Sequence, residues 1–532
     1  MTKKSLFSQQ ILFAITVFLF GVLATHYTGN RGIYPIDSFG HFDSGYRILN
    51  GEHPFRDYWI VSGFFIDYLQ SVIFYLFGIN WQTYLLNASL LNGTVSVLFY
   101  LLLINLGLSF KISFFYAICF SILAYPSSGT PFVDHHSALL STIAIIMYLN
   151  AISSGKKIFW VLIPTFLFFA FLSKQVPASY TFLTLIFLII FHLTQQKKRE
   201  IVKIVFPLFL TSIILVGCLI IFFKILGIEE KYFLTQYFFY PSLIGEERYE
   251  NISYNFKNFF LNFKFIHLSL LFLIYLTFLN LSKKNFYKNI NFKILITCVL
   301  TFLSLAHHVI FTKNQIFIFF LVPFILGFVN IQLNNSTLKY KKYFNIILIT
   351  FCIVITLKYH QRFNIERKFH ELNNVEFNKA KDATGLSKKF MGLKWISPES
   401  INKKFLISEI DFLIKFKNML TVDESKKIVL TNYSFFSIIT EENVSGYSRW
   451  YTRDGSAFPV KENKYVQNYK DLIISVLKRK KIKNIYILPD VKEKNVLNYL
   501  NAKCFDRIQL ELGIIKYEIN NKCDDLFVLK KK

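Results

Sequence analysis

The chain has 532 residues, of which 53% are hydrophobic, with 62 phenylalanines and 30 tyrosines. So apolar a composition argues against a soluble protein and predicts a polytopic membrane protein. The formal net charge of +27 does not indicate nucleic-acid binding. Most lysines lie in short connections between apolar runs, where cytoplasmic loops of membrane proteins concentrate positive charge.

Apolar runs near the length that crosses a bilayer predict about eleven spanning helices. The basic first ten residues and the absence of a small-residue cleavage site favour a retained first helix with a cytoplasmic N-terminus. Alternate connections are basic, so these connections are predicted to be cytoplasmic and the acidic ones extracytoplasmic. The predicted spans are 11–28, 84–105, 112–128, 137–152, 158–173, 179–193, 202–226, 265–281, 292–311, 316–331 and 344–358.

The first long connection, residues 29–83, is polar, acidic and aromatic, and it follows the first apolar run directly. Within it, residues 60–78 are apolar enough to resemble a span. A crossing there would move every later basic connection to the outside, so the charge pattern favours an amphipathic helix lying in the membrane interface. The connection is therefore predicted to be an outer loop that carries the chemistry.

The region after residue 360 has mixed charge and globular patterning. Residues 361–425 are predicted to form a helical linker, and residues 426–532 a small α/β domain on the extracytoplasmic side. The transmembrane domain is predicted to comprise residues 1–360. The sequence leaves open whether Cys504 and Cys523 form a disulfide in this outer domain.

Ionisable side chains at a membrane face are costly to desolvate, so they mark candidate functional positions. Carboxylates suit a general base, and lysine, arginine or histidine suits a developing phosphate charge. The catalytic candidates are Asp37 and Asp43. The supporting candidates at the acceptor or donor site are His41, Asp57, Asp134, His135 and His136. The candidates for binding a donor phosphate are Lys174, Arg248, His307, His308 and Lys313.

Several of these residues have a second, structural interpretation. Asp134 is well placed to cap the helix that follows it, since aspartate is a favoured N-cap residue. Lys174 is placed to extend its ammonium group to the interface, and His307 and His308 to act as helix-end donors. A divalent cation, Mg²⁺ or Mn²⁺, with Asp37 and Asp134 as ligands also remains open.

At these residues the chain resembles the GT-C superfamily of integral membrane glycosyltransferases, which includes protein O-mannosyltransferases and aminoarabinose transferases. The resemblance rests on an acid after the first span, Asp37, and on the stretch Ile48-Leu-Asn-Gly-Glu-His-Pro-Phe-Arg-Asp57. It also rests on an interfacial helix ending at Gly78, on Asp134 after the third span and on a soluble outer domain. The family often has a second acid beside the first, whereas here Ser38 follows Asp37.

The resemblance implies an inverting transferase that uses a polyprenyl-phosphate-linked sugar. The composition, rich in Ile, Lys, Asn and Phe, together with the lack of an address signal, favours a bacterial inner membrane. The acceptor would be a glycan, a lipid or a protein of the cell envelope. Asp37 would be the base, Asp134 a supporting acid or metal ligand, and Lys174 a phosphate contact. The segment Tyr447-Ser-Arg-Trp-Tyr-Thr-Arg-Asp454 is expected to cover the site. The alternatives are a polysaccharide ligase or polymerase, a multi-pass transporter and a non-catalytic sensing protein.

Overall fold

The computed structural model describes residues 3–125, 129–250, 252–281, 286–313, 316–373, 375–401, 407–452, 455–460, 463–493 and 499–520. Cys523 and the last two residues of the segment 447–454 lie outside this part of the chain. The described residues form a long helical region followed by a smaller domain that contains a sheet.

Twelve helices of fourteen residues or more make up most of the helical region, because a helix satisfies every backbone hydrogen bond internally in an apolar environment. Short helices separate several of them. The helices are α1 (Lys3–Gly29), α2 (Pro35–Ser38), α3 (Gly40–Leu49), α4 (Phe64–Phe77), α5 (Trp81–Asn105), α6 (Phe110–Ala124), α7 (Val133–Ser154), α8 (Lys157–Ser173), α9 (Gln175–Leu193), α10 (Lys198–Leu226), α11 (Glu230–Phe233), α12 (Tyr240–Glu250), α13 (Lys264–Asn280), α14 (Ile290–Thr312), α15 (Leu321–Asn335) and α16 (Lys341–His360).

Among the described residues, eight helical segments are long and apolar enough to cross a membrane, and each coincides with a predicted span. Three further predicted spans, 112–128, 158–173 and 265–281, coincide with the shorter apolar helices α6, α8 and α13. The chain is therefore a helical membrane protein. The full count of eleven crossings stays a prediction, because these three helices are shorter than 18 residues.

The connection between α1 and α5 is largely helical rather than an open loop. It contains α2, α3 and α4, and α4 covers most of the predicted interfacial segment 60–78. Helix α4 is bounded by Gly63 and Gly78, both with positive φ. Asp67 and Gln70 face the protein interior, whereas Tyr75 and Phe77 are exposed. This one-sided burial is the pattern of a helix that rests on a surface.

The C-terminal region contains a small sheet flanked by helices. Its strands and helices are β3 (Lys427–Leu430), β4 (Asn484–Ile487), β5 (Phe505–Gln509), β6 (Ile515–Ile519), α18 (Glu409–Val422), α19 (Phe436–Thr440) and α20 (Val466–Arg479). The four strands pair in the order β3-β4-β6-β5, in which β3 and β4 are parallel and the other pairs antiparallel. Helix α18 packs on one face of the sheet and α20 on the other, which gives a small three-layer α/β arrangement.

The segment 361–425 is helical only in part, unlike the predicted helical linker. It contains single turns, the short pair β1 (Lys381–Asp382) and β2 (Lys394–Trp395), and α17 (Pro398–Ile401) before α18. The backbone of β2 bonds to the start of the connection between α1 and α5, where Gly32 N–H donates to Lys394 O at 3.0 Å. Helix α18 belongs to the α/β region because its apolar face, including Phe412 and Phe416, is buried against the sheet.

Candidate active site

A cavity of about 560 Å³ lies between the helical region and the C-terminal region. Its walls come from α2, α3, the start of α7, the junction of α8 with α9, α12, the end of α14, and the segment that follows β3. Five of the residues predicted from the sequence line it: Asp37, His41, Asp134, Lys174 and Arg248. The two of these five residues that are farthest apart in the chain, Asp37 and Arg248, are separated by 211 positions.

Asp37 lies in the single-turn helix α2, which Pro35 begins. The backbone N–H of Tyr34 donates to Ser38 Oγ at 3.0 Å, which fixes this turn at the cavity wall. Enclosure by protein and the negative charge of Asp134 raise the pKa of the Asp37 carboxyl to about 7, although Lys174 opposes the shift. A carboxylate with such a pKa is a suitable general base near neutral pH.

Asp134 is held in a buried charge cluster with Lys174 and His308. Lys174 Nζ donates to its two oxygens at 2.8 and 2.7 Å, and His308 Nε2 lies 2.7 Å from Oδ1. The side chain of Lys174 remains 20% exposed, whereas that of Asp134 is 2% exposed. Lys174 has extended backbone geometry between α8 and α9, and this break between helices directs it into the cavity.

The residues present do not fit a divalent cation bound by Asp37 and Asp134. Within the described part of the chain, no group of three or more His, Cys, Asp or Glu side chains is placed to hold a metal. The Asp134 oxygens already accept from Lys174 and His308, so a cation would have to displace an ammonium group. Asp134 is therefore placed to position Lys174 rather than to bind a metal.

His41 belongs to a second buried chain that links the helical and C-terminal regions. His41 Nδ1 lies 2.7 Å from Asp67 Oδ1, and Asp67 also forms an ion pair with Arg449. Arg449 Nε donates to Ser44 Oγ at 3.1 Å, and its guanidinium lies over the ring of Trp450. Burial lowers the pKa of His41 well below its usual value, and the charge of Arg449 adds to this effect.

Two of the predicted acids hold the C-terminal region rather than lining the cavity. Asp43 accepts from Ser445 Oγ at 2.6 Å and lies 3.7 Å from Arg47, while burial raises its pKa to about 6. Asp57 lies 2.7 Å from Arg479 and also pairs with Arg56. Asp43 and Asp57 therefore do not share this cavity with Asp37, and the roles predicted for them from the sequence stay predictions.

The remaining predicted histidines and Lys313 also lie outside the cavity lining. His135 packs among aromatic rings, 4.5 Å from that of Phe317, and His136 bonds to the Tyr125 hydroxyl at 2.8 Å. His307 bonds to the hydroxyl of Tyr254, and Lys313 is exposed beside a separate, smaller cavity. Two of these histidines reach the site through residues that line it: His308 bonds to Asp134, and the ring of His307 packs against those of Tyr180 and Phe311.

The sequence analysis gave no role to Asp67. It expected the segment 447–454 to cover the site but gave no individual role to Arg449 or Trp450 within that segment. Trp450, Thr452, Ser456 and Ala457 form one wall of the cavity. Phe171, Tyr237, Phe238 and Phe311 also line the cavity and give part of it an apolar, aromatic surface. The signal that could have identified Asp67 is that it is the single acid in the mostly apolar segment 60–78.

No protein-family model and no curated protein matches the sequence. The function is therefore argued from the site itself.

Proposed function

We propose that the protein is a membrane glycosyltransferase that moves a sugar from a polyprenyl-phosphate donor to a hydroxyl group of a cell-envelope acceptor. The attacking hydroxyl oxygen forms a bond to the anomeric carbon while the bond from that carbon to the phosphate oxygen breaks. The hydroxyl proton passes to Asp37, and the polyprenyl phosphate leaves as the anion. Inversion at the anomeric carbon follows from the GT-C resemblance.

The observation that carries the proposal is the pairing of Asp37 with an exposed cationic group in one cavity at the end of spanning helices. Asp37 has a pKa raised to about 7, so at neutral pH it accepts a proton readily and later releases it. Asp134, by contrast, is neutralised by Lys174. Carboxylates with such different surroundings take different roles.

Lys174 and Arg248 supply positive charge for the leaving phosphate. Lys174 is partly exposed to the cavity, and Arg248 lines it from α12. Cationic donors fixed in a site sheltered from water stabilise charge that develops in the transition state. Because Asp134 fixes the position of Lys174 Nζ through two hydrogen bonds, the ammonium group needs little reorganisation when a phosphate binds.

The aromatic part of the cavity suits the isoprenoid chain of the donor. Phe238 and Phe311 both line the cavity, and Phe238 is 39% exposed. Phe238 lies at the border between the cavity and the outer surface. Apolar surface of this kind in a membrane protein accommodates a lipid tail.

The same proposal places the protein in a bacterial inner membrane, with its N-terminus in the cytoplasm and its C-terminal region in the periplasm. The basic connections between spans support this orientation, because they fall on one side when α4 lies in the interface. The partners are then the bilayer, the lipid-linked donor and the acceptor.

The test is transfer from undecaprenyl-phosphate glucose and mannose, each radiolabelled, in membranes that contain the protein. We expect label to move into a product that is not the donor, and Asp37→Asn to abolish this transfer. Asp506→Asn, an exposed carboxylate on β5, is the matched control and should retain it. Transfer that survives Asp37→Asn would show that Asp37 is not the general base. Movement of intact donor across the membrane without transfer would instead indicate a transporter.

A further inference from the structure

The chain of His41, Asp67 and Arg449 fixes which nitrogen of the imidazole carries the proton. Asp67 forms an ion pair with Arg449, so it is a carboxylate and accepts hydrogen bonds. His41 Nδ1, 2.7 Å from Asp67 Oδ1, is therefore the donor. In the neutral ring the other nitrogen, Nε2, then has a free lone pair.

This lone pair is available to a ligand. His41 lines the cavity with Asp37, and within the described ranges its Nε2 has no hydrogen-bond partner. Burial keeps the ring neutral by lowering its pKa, and Arg449 and His136 add to this effect. A neutral imidazole of this kind accepts a hydrogen bond from a hydroxyl group but does not compete with Asp37 for the reacting proton.

The donor sugar is the group that must lie nearest to this acceptor. Lys174 binds the donor phosphate in the proposed function, and Asp37 receives the proton of the hydroxyl that attacks the adjoining sugar. Both side chains line the same cavity as His41, which is four residues from Asp37. Trp450, whose ring centroid lies 6.1 Å from that of His41, adds a flat apolar surface that suits a sugar ring.

We infer that His41 accepts, through Nε2, a hydrogen bond from a hydroxyl of the donor sugar, and that Asp67 and Arg449 are positioning residues for this contact. The inference rests on the proposed function and deepens it. The site thus recognises the sugar as well as the lipid phosphate. Since Arg449 belongs to the C-terminal region, this sugar contact is complete only when that region is docked.

Two substitutions at His41 separate sugar binding from a structural role. His41→Asn keeps an amide near the Nδ1 position, where it can still bond to Asp67, but has no group at Nε2. His41→Gln reaches the Nε2 position with an amide and gives up the bond to Asp67. Asp67→Asn, with thermal stability followed in detergent, tests the positioning role.

Binding is measured with two probes, undecaprenyl phosphate and undecaprenyl-phosphate glucose or mannose, on the full-length protein. For whichever sugar lipid the wild type binds, we expect His41→Asn to weaken binding on the order of tenfold and to leave undecaprenyl phosphate binding unchanged. His41→Gln should lose less affinity for the sugar lipid than His41→Asn does. His53→Asn, a change in the same outer segment at a histidine that bonds to Tyr68, should affect neither probe.

Equal effects on the two probes, or greater loss in His41→Gln than in His41→Asn, would overturn the sugar contact and leave the transferase proposal standing. Asp67→Asn should weaken binding of the sugar lipid and leave binding of undecaprenyl phosphate unchanged. Unchanged binding of the sugar lipid in this variant would show that Asp67 has no positioning role. If the wild type binds neither lipid, the proposed function itself fails, and the sugar contact fails with it.

Discussion

At the scale of single residues, the site depends on two aspartates in unlike surroundings. Asp134 has a cation and a histidine against its oxygens, whereas Asp37 is enclosed near a second negative charge. The first arrangement stabilises a permanent carboxylate, and the second keeps a proton within reach at neutral pH. Different roles for the two acids follow from this difference.

The raised pKa of Asp37 predicts the pH dependence of transfer. Its native pKa of about 7 lies above the ordinary value of 3.8, so the base is mostly protonated below pH 7 and mostly ionised above it. We expect kcat/KM to rise about tenfold per pH unit below neutrality and to level off above about pH 7. Initial rates between pH 5 and 9 check this; a flat profile would contradict the assignment.

The same raised pKa has the opposite effect on stability: the transfer rate rises with pH, whereas the contribution of Asp37 to stability falls. Between pH 3.8 and about 7 the native state binds more protons at Asp37 than the unfolded state does, so this residue makes the protein less stable as pH rises. Asp37→Asn should therefore be at least as stable as the wild type at pH 8, even though it is inactive. The apparent Tm in detergent measures this, and a large fall would show that Asp37 has a structural role.

A double-variant cycle at Lys174 and Asp134 separates charge compensation from phosphate binding. Lys174→Met leaves a buried carboxylate without its cation and should destabilise the protein by about 2 kcal/mol, since Lys174 is partly exposed. Adding Asp134→Asn should restore the apparent Tm but leave transfer lost. Recovery of transfer together with the Tm would mean that Lys174 serves only to neutralise Asp134.

At the scale of elements, α4 is held between two glycines with similar backbone geometry and unlike surroundings. Gly63 has φ of +82°, and a Cβ there would lie 2.4 Å from His41 Cε1 and 2.7 Å from Arg449 Nη1. Gly78 has φ of +84°, with no atom within 4 Å of the same position. Gly63 therefore gives His41 and Arg449 the space in which they meet Asp67.

Alanine at these two positions makes a matched pair. Gly78→Ala should cost about 1 kcal/mol from positive φ alone, whereas Gly63→Ala adds overpacking of roughly 1–3 kcal/mol. We expect Gly63→Ala to lower both the apparent Tm and the affinity for a sugar lipid, and Gly78→Ala to lower only the Tm slightly. Equal effects of the two substitutions would show that the close contacts at Gly63 are unimportant.

At the scale of the whole molecule, the C-terminal region is attached to the helical region by buried charges. Glu52 bonds to Arg47 Nε at 2.8 Å and pairs with Lys480, and Arg47 donates to Gly446 O at 2.8 Å. Burial alone would raise the pKa of Glu52, but Arg47 and Lys480 outweigh it and lower the pKa to about 2. These ion pairs help to hold the Trp450 wall against the cavity.

Neutralising Glu52 should loosen this attachment. Glu52→Gln leaves Arg47 buried without its closest carboxylate, so hydrogen exchange of residues 443–452 should increase and transfer should fall. The depressed pKa means that the wild type gains this stabilisation fully above pH 4.5 and loses it as pH falls toward 2. Glu441→Gln, at an exposed pair with Lys389, is the control; identical exchange in both variants would contradict the attachment.

The orientation of the whole chain is a separate prediction. Reporter tags after residue 50 and after residue 440 should both be extracytoplasmic, and a tag after residue 196 should be cytoplasmic. The physical reason is the alternation of basic and acidic connections along the sequence. A cytoplasmic position for residue 50 would place Asp37 on the wrong side for the proposed reaction.

Several features could be predicted from the sequence alone: the membrane character, the positions of most apolar helices and the presence of strands near 428–432 and 484–489. These features depend on local composition and periodicity, which a single sequence displays directly. It also identified Asp37, Asp134 and Lys174 as candidates, because ionisable groups beside apolar runs are expensive and therefore conspicuous.

Which of these groups lie together became clear from the three-dimensional packing. Asp134, Lys174 and His308 are separated by 40 and 134 positions, and Arg449 lies 382 positions from Asp67, so no local pattern links them. The structure removed Asp43 and Asp57 from the cavity because arginines and a serine occupy their oxygens. Sequence reveals a charge, but the partner that fixes its pKa and its role is chosen by long-range packing.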